Sequence, residues 1–354
     1  MEVIKYEIKR GDTLLTIAKE FGLTINELLD FHNSQAILTQ QIFNTHIPVH
    51  IKELFIPAKK EETKNKPFEQ IDFQQKARYR CEQINTSKFN NNLVHYFNQR
   101  FQYLLKLNLE EKIGFVKLED YSKESSPKVS EEVFDFIEET EKIKNNVFFS
   151  LNTSGKIQKI LNKKRIQKDW EEFRTTKFLE MPFIESLEKN NPKAIEELTA
   201  MGDSQFSENT SNEEEYWRNF FYFSCFDQYL YSKDKFETID FDFISTILPP
   251  LILPLKIRYD KLEEKNGILT VRKIADVSIS ESLKKEMIDR YNELHKNMVK
   301  YEFTEYKIIF RSTIEIDINS GLVISGKVVL KEEVSDNVEN ECIYTIKKLE
   351  NFTP

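Results

Sequence analysis

The chain has 354 residues, and its 51 Lys and Arg against 59 Asp and Glu give a formal net charge of −8. This balance offers no general attraction to phosphate backbones, so we expect no nucleic-acid partner. Hydrophobic residues make up 40% of the chain, which is enough to build the cores of two or three domains. The three widely spaced cysteines, which predict reduced and mostly buried thiols, are Cys81, Cys225 and Cys342.

No stretch approaches the roughly 20 consecutive apolar residues of a membrane-spanning helix. The first residues also lack a basic segment followed by an apolar run, as in a secretory signal. We therefore expect a chain made in the cytoplasm without membrane insertion, which a non-classical route would have to carry outside or to the periplasm. The most apolar segment, 241–257, contains three prolines and predicts a buried or partly extended segment.

Residues 1–58 form the first predicted module. The alternation from Tyr6 to Ile8 predicts a strand, and Gly11 then predicts a turn in front of a helix. The apolar residues of that helix recur at spacings of three and four and are Leu14, Ile17, Ala18 and Phe21. Thr24 with Glu27 predicts a capping box for a second helix, and 53–57 predicts a closing strand.

This order of strand, helix, helix and strand, with the GDTL run at 11–14, Asn33 and the terminal Ile56-Pro57, resembles the LysM family. The resemblance implies binding of N-acetylglucosamine-containing glycans, chiefly peptidoglycan or chitin. The groove would lie between the first strand-helix loop and the second helix-strand loop. By position, the glycan-binding residues would be Gly11, Asp12, Thr13, Leu14, Asn33 and Ser34.

The residues alone also allow a structural role for each of these positions. Gly11 can serve the turn, Asp12 or Thr13 can cap the helix, and Leu14 can fill the core. The second wall departs from the family, because 34–52 is a longer loop without the usual glycine before the last strand. This loop could instead dock a protein through Ile42, Phe43, Ile47 and Val49.

His46 and His50 are four residues apart in the same loop, but Pro48 between them makes a helical metal pair unfavourable. We expect no metal there. The charged segment 59–67, KKEETKNKP, predicts a linker.

Beyond the linker, two segments resemble each other. LEEKIG at 109–114 and LEEKNG at 262–267 each lie between strand-like runs. A helix follows each, at 130–144 and 280–298, and then a second hairpin that turns at Ser-Gly. We expect two ββαββ units, at 68–166 and 255–354, separated by a mainly helical region at 167–254. The predicted fold class is α+β.

Several helices are predicted in detail. Ser278 and Glu281 suggest a capping box for the helix at 280–298. Long helices are also expected at 169–201 and 213–231. The second is rich in aromatic residues, which favour a core role over sugar stacking or partner docking.

The sequence contains none of the motifs HExxH, GxSxG, a P-loop or a dinucleotide fingerprint. The acid pairs Asp240 with Asp242 and Glu315 with Asp317 could share a strand face, but a solvent-facing strand gives the same pattern. Cys225 has no neighbouring histidine. We expect no enzyme activity, no cofactor and no metal.

Two functional hypotheses follow. The first is a non-enzymatic LysM protein that binds a cell-wall glycan, with the C-terminal region as a scaffold or protein-binding part. The second is a leaderless LysM adaptor, cargo or effector of a contractile injection or type VI secretion machine, whose partner is a protein of that machine. The oligomeric state is not determined by the sequence.

Overall fold

The computed structural model describes residues 3–9, 11–21, 23, 25–36, 40–42, 46–48, 50–57, 71–128, 131–211 and 213–349. The chain divides into two compact units, 1–71 and 72–354. The predicted linker at 59–67 lies outside the described residues.

The N-terminal unit has the predicted order of strand, helix, helix and strand, which is confirmed. Its elements are β1 (Val3–Glu7), α1 (Leu14–Phe21), α2 (Ile25–Gln35) and β2 (Glu53–Pro57). The two strands pair antiparallel, with Tyr6 opposite Leu54. The helices close over one face of this pair because their apolar stripes point inwards. The buried core consists of Tyr6, Leu14, Ile17, Ala18, Leu28, Ile42, Ile51, Leu54 and Ile56.

The strands described in the C-terminal unit form one antiparallel sheet of 11 strands. They are β3 (Gln75–Phe89), β4 (Asn92–Asn108), β5 (Ile113–Ser126), β6 (Asn146–Leu151), β7 (Ile157–Ile160), β8 (Ile239–Ile244), β9 (Ile252–Lys265), β10 (Ile268–Val277), β11 (Tyr306–Asp317), β12 (Val323–Val334) and β13 (Val338–Lys348). Their order in the sheet is β7-β6-β5-β4-β3-β13-β12-β11-β10-β9-β8.

The helices of this unit are α3 (Glu131–Lys144), α4 (Lys163–Thr176), α5 (Pro182–Asn190), α6 (Pro192–Gln205), α7 (Glu213–Arg218), α8 (Phe220–Cys225), α9 (Glu281–Leu294) and α10 (Lys296–Val299). The single helix predicted at 169–201 is wrong. Pro182 and Pro192 each occupy the first turn of a new helix, where the missing N–H of proline costs no hydrogen bond.

The order of elements repeats along the sheet. The first series is β3-β4-β5-α3-β6-β7 and the second is β8-β9-β10-α9-β11-β12, and corresponding strands lie six places apart in the sheet. Strand β13 fills the place between β12 and β3. Both predicted ββαββ segments therefore contribute to one sheet. Their origin by duplication stays a prediction.

The aromatic segment predicted as one helix at 213–231 is divided into α7, α8 and a 3₁₀ turn at Gln228–Leu230. The Asn219 side chain accepts from the N–H of Phe221 and starts α8. All residues of α8 after Phe220 are buried, and the Phe221 ring stacks on Tyr103 of β4 at 4.2 Å between centroids. Because the segment is divided, its aromatic side chains can extend from the backbone in different directions and still pack in the core. One straight helix would not allow this.

The start of α9 also differs from the prediction. Its N-cap is Ser280, whose Oγ accepts from the N–H of Leu283, so the expected box of Ser278 with Glu281 is wrong. Met287 and Tyr291 are buried, whereas α9 ends at Leu294, before the predicted end at 298, and Met298 is exposed. Among the described residues, no helix is long and apolar enough to cross a membrane.

Candidate functional site

The loop between β1 and α1 is fixed by Asp12. Its Oδ2 accepts from the Tyr6 hydroxyl at 2.9 Å and from the N–H of Lys9 at 2.8 Å. Burial, and then this hydrogen bond to Asp12, raise the pKa of Tyr6 to about 12. Tyr6 is therefore a neutral donor at any ordinary pH, and Asp12 holds the turn instead of capping α1.

Thr13 is the residue that caps α1. Its Oγ1 accepts from the N–H of Thr16, while the Thr16 hydroxyl oxygen accepts from the N–H of Thr13. This reciprocal pair satisfies two N–H groups that the first turn of a helix leaves open. The hydroxyls of both threonines are thus occupied by the helix start.

Gly11 of this loop and Leu15 in the first turn of α1 both lie at the surface. Gly11 has a φ of +100°, which favours glycine, and an added Cβ would meet nothing within 4 Å. Leu14 is 1% exposed and belongs to the core, whereas Leu15 is 63% exposed. Of the predicted first wall, Leu14 therefore offers no surface, and the apolar surface residue is Leu15.

The second wall is held by the Asn33 side chain. Its Nδ2 donates to the carbonyl of Ile42 at 2.9 Å, and its Oδ1 accepts from the N–H of Ile42 at 2.8 Å. Ser34 is exposed and donates to the carbonyl of Phe31. Asn33 thus positions the loop after α2 through the loop backbone.

The residues predicted as a protein-docking loop are placed as follows. Ile42 is 1% exposed in the core, so its prediction as a docking side chain is wrong, because the Asn33 bonds draw it inwards. Ile47 is half-buried and packs against the same core. Phe43 and Val49 lie outside the described residues.

A buried histidine joins the second loop to the sheet. The Nδ1 of His32 accepts from the N–H of Phe55, and its other ring nitrogen, Nε2, lies 2.8 Å from the carbonyl of Gln40. Because Nδ1 is an acceptor, the proton of the neutral ring lies on Nε2 and is donated to Gln40. The N–H of Ile8 donates to the carbonyl of Lys52, so the start of the first loop lies beside the end of the second.

Together these contacts define a compact strand-helix-helix-strand module. The LysM domain family model matches residues 6–31 of this module. No curated protein matches the sequence. A solved structure titled "Lipid-protein interactions in lipovitellin" is similar with a TM-score of 0.37 at 9% identity, over 80% of this chain and 26% of that chain.

The C-terminal unit contains the acid pairs considered for catalysis. Asp240 and Asp242 are exposed on the edge strand β8. Glu315 accepts from the Ser325 hydroxyl, and Asp317 accepts from the N–H of Asn319 in the β11–β12 turn. These contacts give both Glu315 and Asp317 structural partners.

Cys225 is buried, and burial raises the pKa of its thiol well above the ordinary value. A buried neutral thiol is a poor nucleophile. His95 is exposed on β4, whereas His295 contacts the carbonyl of Ile247 through Nε2. Within the described part of the chain, neither histidine forms a hydrogen bond with Cys225.

Proposed function

We propose that the LysM domain binds an N-acetylglucosamine-containing glycan, with peptidoglycan as the principal target, and that the protein acts as a non-enzymatic binding protein. The supporting observation is the surface at residues 11–15, where Asp12 fixes the turn, Gly11 leaves its outer side open and Leu15 of α1 exposes an apolar side chain.

Each feature matches one property of the sugar. An acetamido group carries one N–H and one carbonyl, which exposed backbone beside a glycine can bind without a side chain in the way. The C–H face of a pyranose ring is apolar, and Leu15 offers a surface for it. A turn that Asp12 already holds in place loses little conformational entropy on binding.

The C-terminal unit acts in this proposal as the scaffold that the LysM domain attaches to the glycan. Its 11-stranded sheet and continuous aromatic core form one body.

Co-sedimentation with insoluble peptidoglycan and with chitin tests the proposal. The full chain should sediment with the glycan, and a truncated chain beginning at Asp72 should stay in solution. If the full chain also stays in solution, glycan binding is refuted. That outcome would favour the alternative of an adaptor, cargo or effector of a contractile injection or type VI secretion machine that docks by protein contacts.

A further inference from the structure

An apolar cavity of about 270 Å³ lies in the C-terminal unit between the α7–α8 segment and the sheet. Its deepest side chains are Phe223 of α8, Phe310 of β11 and Leu330 of β12, which are 1%, 5% and 8% exposed. The rings of Phe223 and Phe310 lie 5.3 Å apart and form one wall. The cavity interior is therefore largely apolar and aromatic, with Gln83 and Asn85 as polar residues of its lining.

One end of the cavity reaches solvent. The exposed lining residues at that end are Arg218, Ile244 and Thr246, and Ile244 is 42% exposed. The cavity thus has a buried floor and an exposed rim. A ligand would enter with an apolar part and leave a polar part at the rim.

The charge at the rim is one guanidinium, which also borders a second cleft lined by four carboxylates. Among the described residues that line the cavity, Arg218 is the charged one, and within the described chain no carboxylate forms an ion pair with its guanidinium. A guanidinium presents paired N–H donors that match a carboxylate. The cavity therefore combines an apolar interior with a carboxylate-binding group at the mouth.

We propose that this cavity binds an aliphatic monocarboxylate of medium chain length, with the chain inside and the carboxylate on Arg218. An engineered apolar cavity of about 150 Å³ holds benzene, so the volume here suits a longer chain such as octanoate or decanoate. Each methylene that enters should tighten binding about fourfold until the cavity is full.

The second cleft adjoins the cavity and shares Trp217, Arg218 and Phe241 with it. It has a volume of about 370 Å³ and is lined by Glu213, Glu214, Asp240 and Asp242, with Lys156 as a cation beside them. The Lys156 Nζ lies 3.9 Å from the centroid of the Trp217 ring. An alkylammonium ion would be attracted to these carboxylates. It therefore serves in the experiment as the comparison ligand of opposite charge.

Isothermal titration of the full chain tests the proposal, with hexanoate, octanoate and decanoate as a series and decanol and decylammonium as comparisons. Binding should tighten along the carboxylate series. Arg218→Gln should weaken decanoate about tenfold, as loss of a hydrogen-bonded charge does, and leave decanol unchanged. Arg165→Gln, at an exposed arginine of α4, is the matched control and should change neither affinity.

A second variant tests the cavity itself. Cys342 lines it, and Cys342→Phe should fill it and abolish binding of both decanoate and decanol. Because Arg218 is exposed, Arg218→Gln folds even if Cys342→Phe does not, so one test always remains. The proposal is overturned if decanoate does not bind, if Arg218→Gln leaves its affinity unchanged, or if decylammonium binds more tightly than decanoate.

Discussion

The ammonium group of Lys273 donates to Oδ2 of Asp227 at 2.7 Å, and both side chains are buried, with 1% and 0% exposed. Lys273 also donates to the carbonyl of Phe223 and Asp227 accepts from the Tyr259 hydroxyl, each at 2.7 Å. Burial lowers the pKa of Lys273, and Asp227 acts in the opposite direction. The pair thus ties strand β10 to the segment that follows α8.

Breaking this pair from one side should be costly, because it leaves a buried charge without its partner. We expect Lys273→Met and Asp227→Leu each to lower the free energy of unfolding by about 3–5 kcal/mol, and the double variant to lose less than the sum. Equilibrium urea unfolding measures all three.

The matched control is the exposed pair of Lys193 and Glu197, whose side chains are 81% and 64% exposed. Lys193→Met should cost less than about 1 kcal/mol. Equal costs for Lys273→Met and Lys193→Met would show that the buried pair has no structural role.

Two glycines with positive φ should respond differently to alanine. Gly11 has open space around it, so Gly11→Ala adds only backbone strain of about 1–2 kcal/mol. Gly155 has a φ of +76°, and an added Cβ would lie 2.2 Å from the carbonyl oxygen of Asp227. Gly155→Ala should therefore cost more than about 3 kcal/mol. Amide hydrogen exchange reports each unit through its own N–H groups, and a smaller effect at Gly155 than at Gly11 would disprove this ranking.

Asn33 should stabilise the LysM domain much more than Ser34 does. Asn33→Ala removes both hydrogen bonds to Ile42 and leaves a buried N–H without its partner, so we expect a loss of about 1–3 kcal/mol. Ser34→Ala, at an exposed position, should lose less than about 0.5 kcal/mol. Thermal unfolding, monitored by hydrogen exchange of the LysM amides, distinguishes the two variants. Equal losses of stability would contradict the role of the Asn33–Ile42 hydrogen bonds.

The three thiols should be unreactive in the folded protein. Cys81, Cys225 and Cys342 are buried and unpaired with one another, and burial raises the pKa of Cys81 and of Cys342 to about 12 from an ordinary 9.0. Labelling with a disulfide reagent below pH 9 should count no thiols in the native chain and three in denaturant. Rapid native labelling would contradict the burial of these residues.

The same raised pKa values predict a pH dependence. Between pH 9 and about 12 the unfolded chain releases thiol protons that the folded chain retains. The stability that the buried, protonated thiols contribute is therefore complete below pH 9, and it is lost as the pH rises towards 12. The urea midpoint of unfolding, plotted against pH from 9 to about 12, should have a different slope for the wild type than for Cys81→Ala.

The LysM domain could be predicted well because its helices and turns are determined by residues close together in the sequence. The apolar spacing of Leu14, Ile17 and Ala18 sets one helix, and the turn needs Gly11. Leu15 was missed as the exposed member of a leucine pair, although the same spacing places only Leu14 inside. The role of Asn33 could not be predicted, because its partner Ile42 lies in a loop without periodicity.

In the C-terminal unit, the burial of some charged residues could not be predicted from the local sequence pattern. Lys273 and Glu332 stand in charged stretches that look solvent-facing, yet Lys273 is 1% exposed and Glu332 is 0% exposed. Glu332 accepts from the N–H of Thr246 at 2.7 Å and from the Tyr306 hydroxyl at 2.8 Å. Such residues are buried because distant donors meet them in the folded sheet. The cavity at Arg218 arises in the same way, from strands far apart in sequence.

The most direct test of the central claim is a calorimetric titration of the full chain with a soluble chitin tetrasaccharide. The wild type should bind, and Leu15→Asp should weaken binding at least about tenfold by removing the apolar surface for the sugar ring. Leu179→Asp, at a leucine that is 58% exposed against 63% for Leu15, should leave the affinity unchanged. Absence of binding by the wild type, or equal affinity in Leu15→Asp, would contradict glycan recognition by this loop.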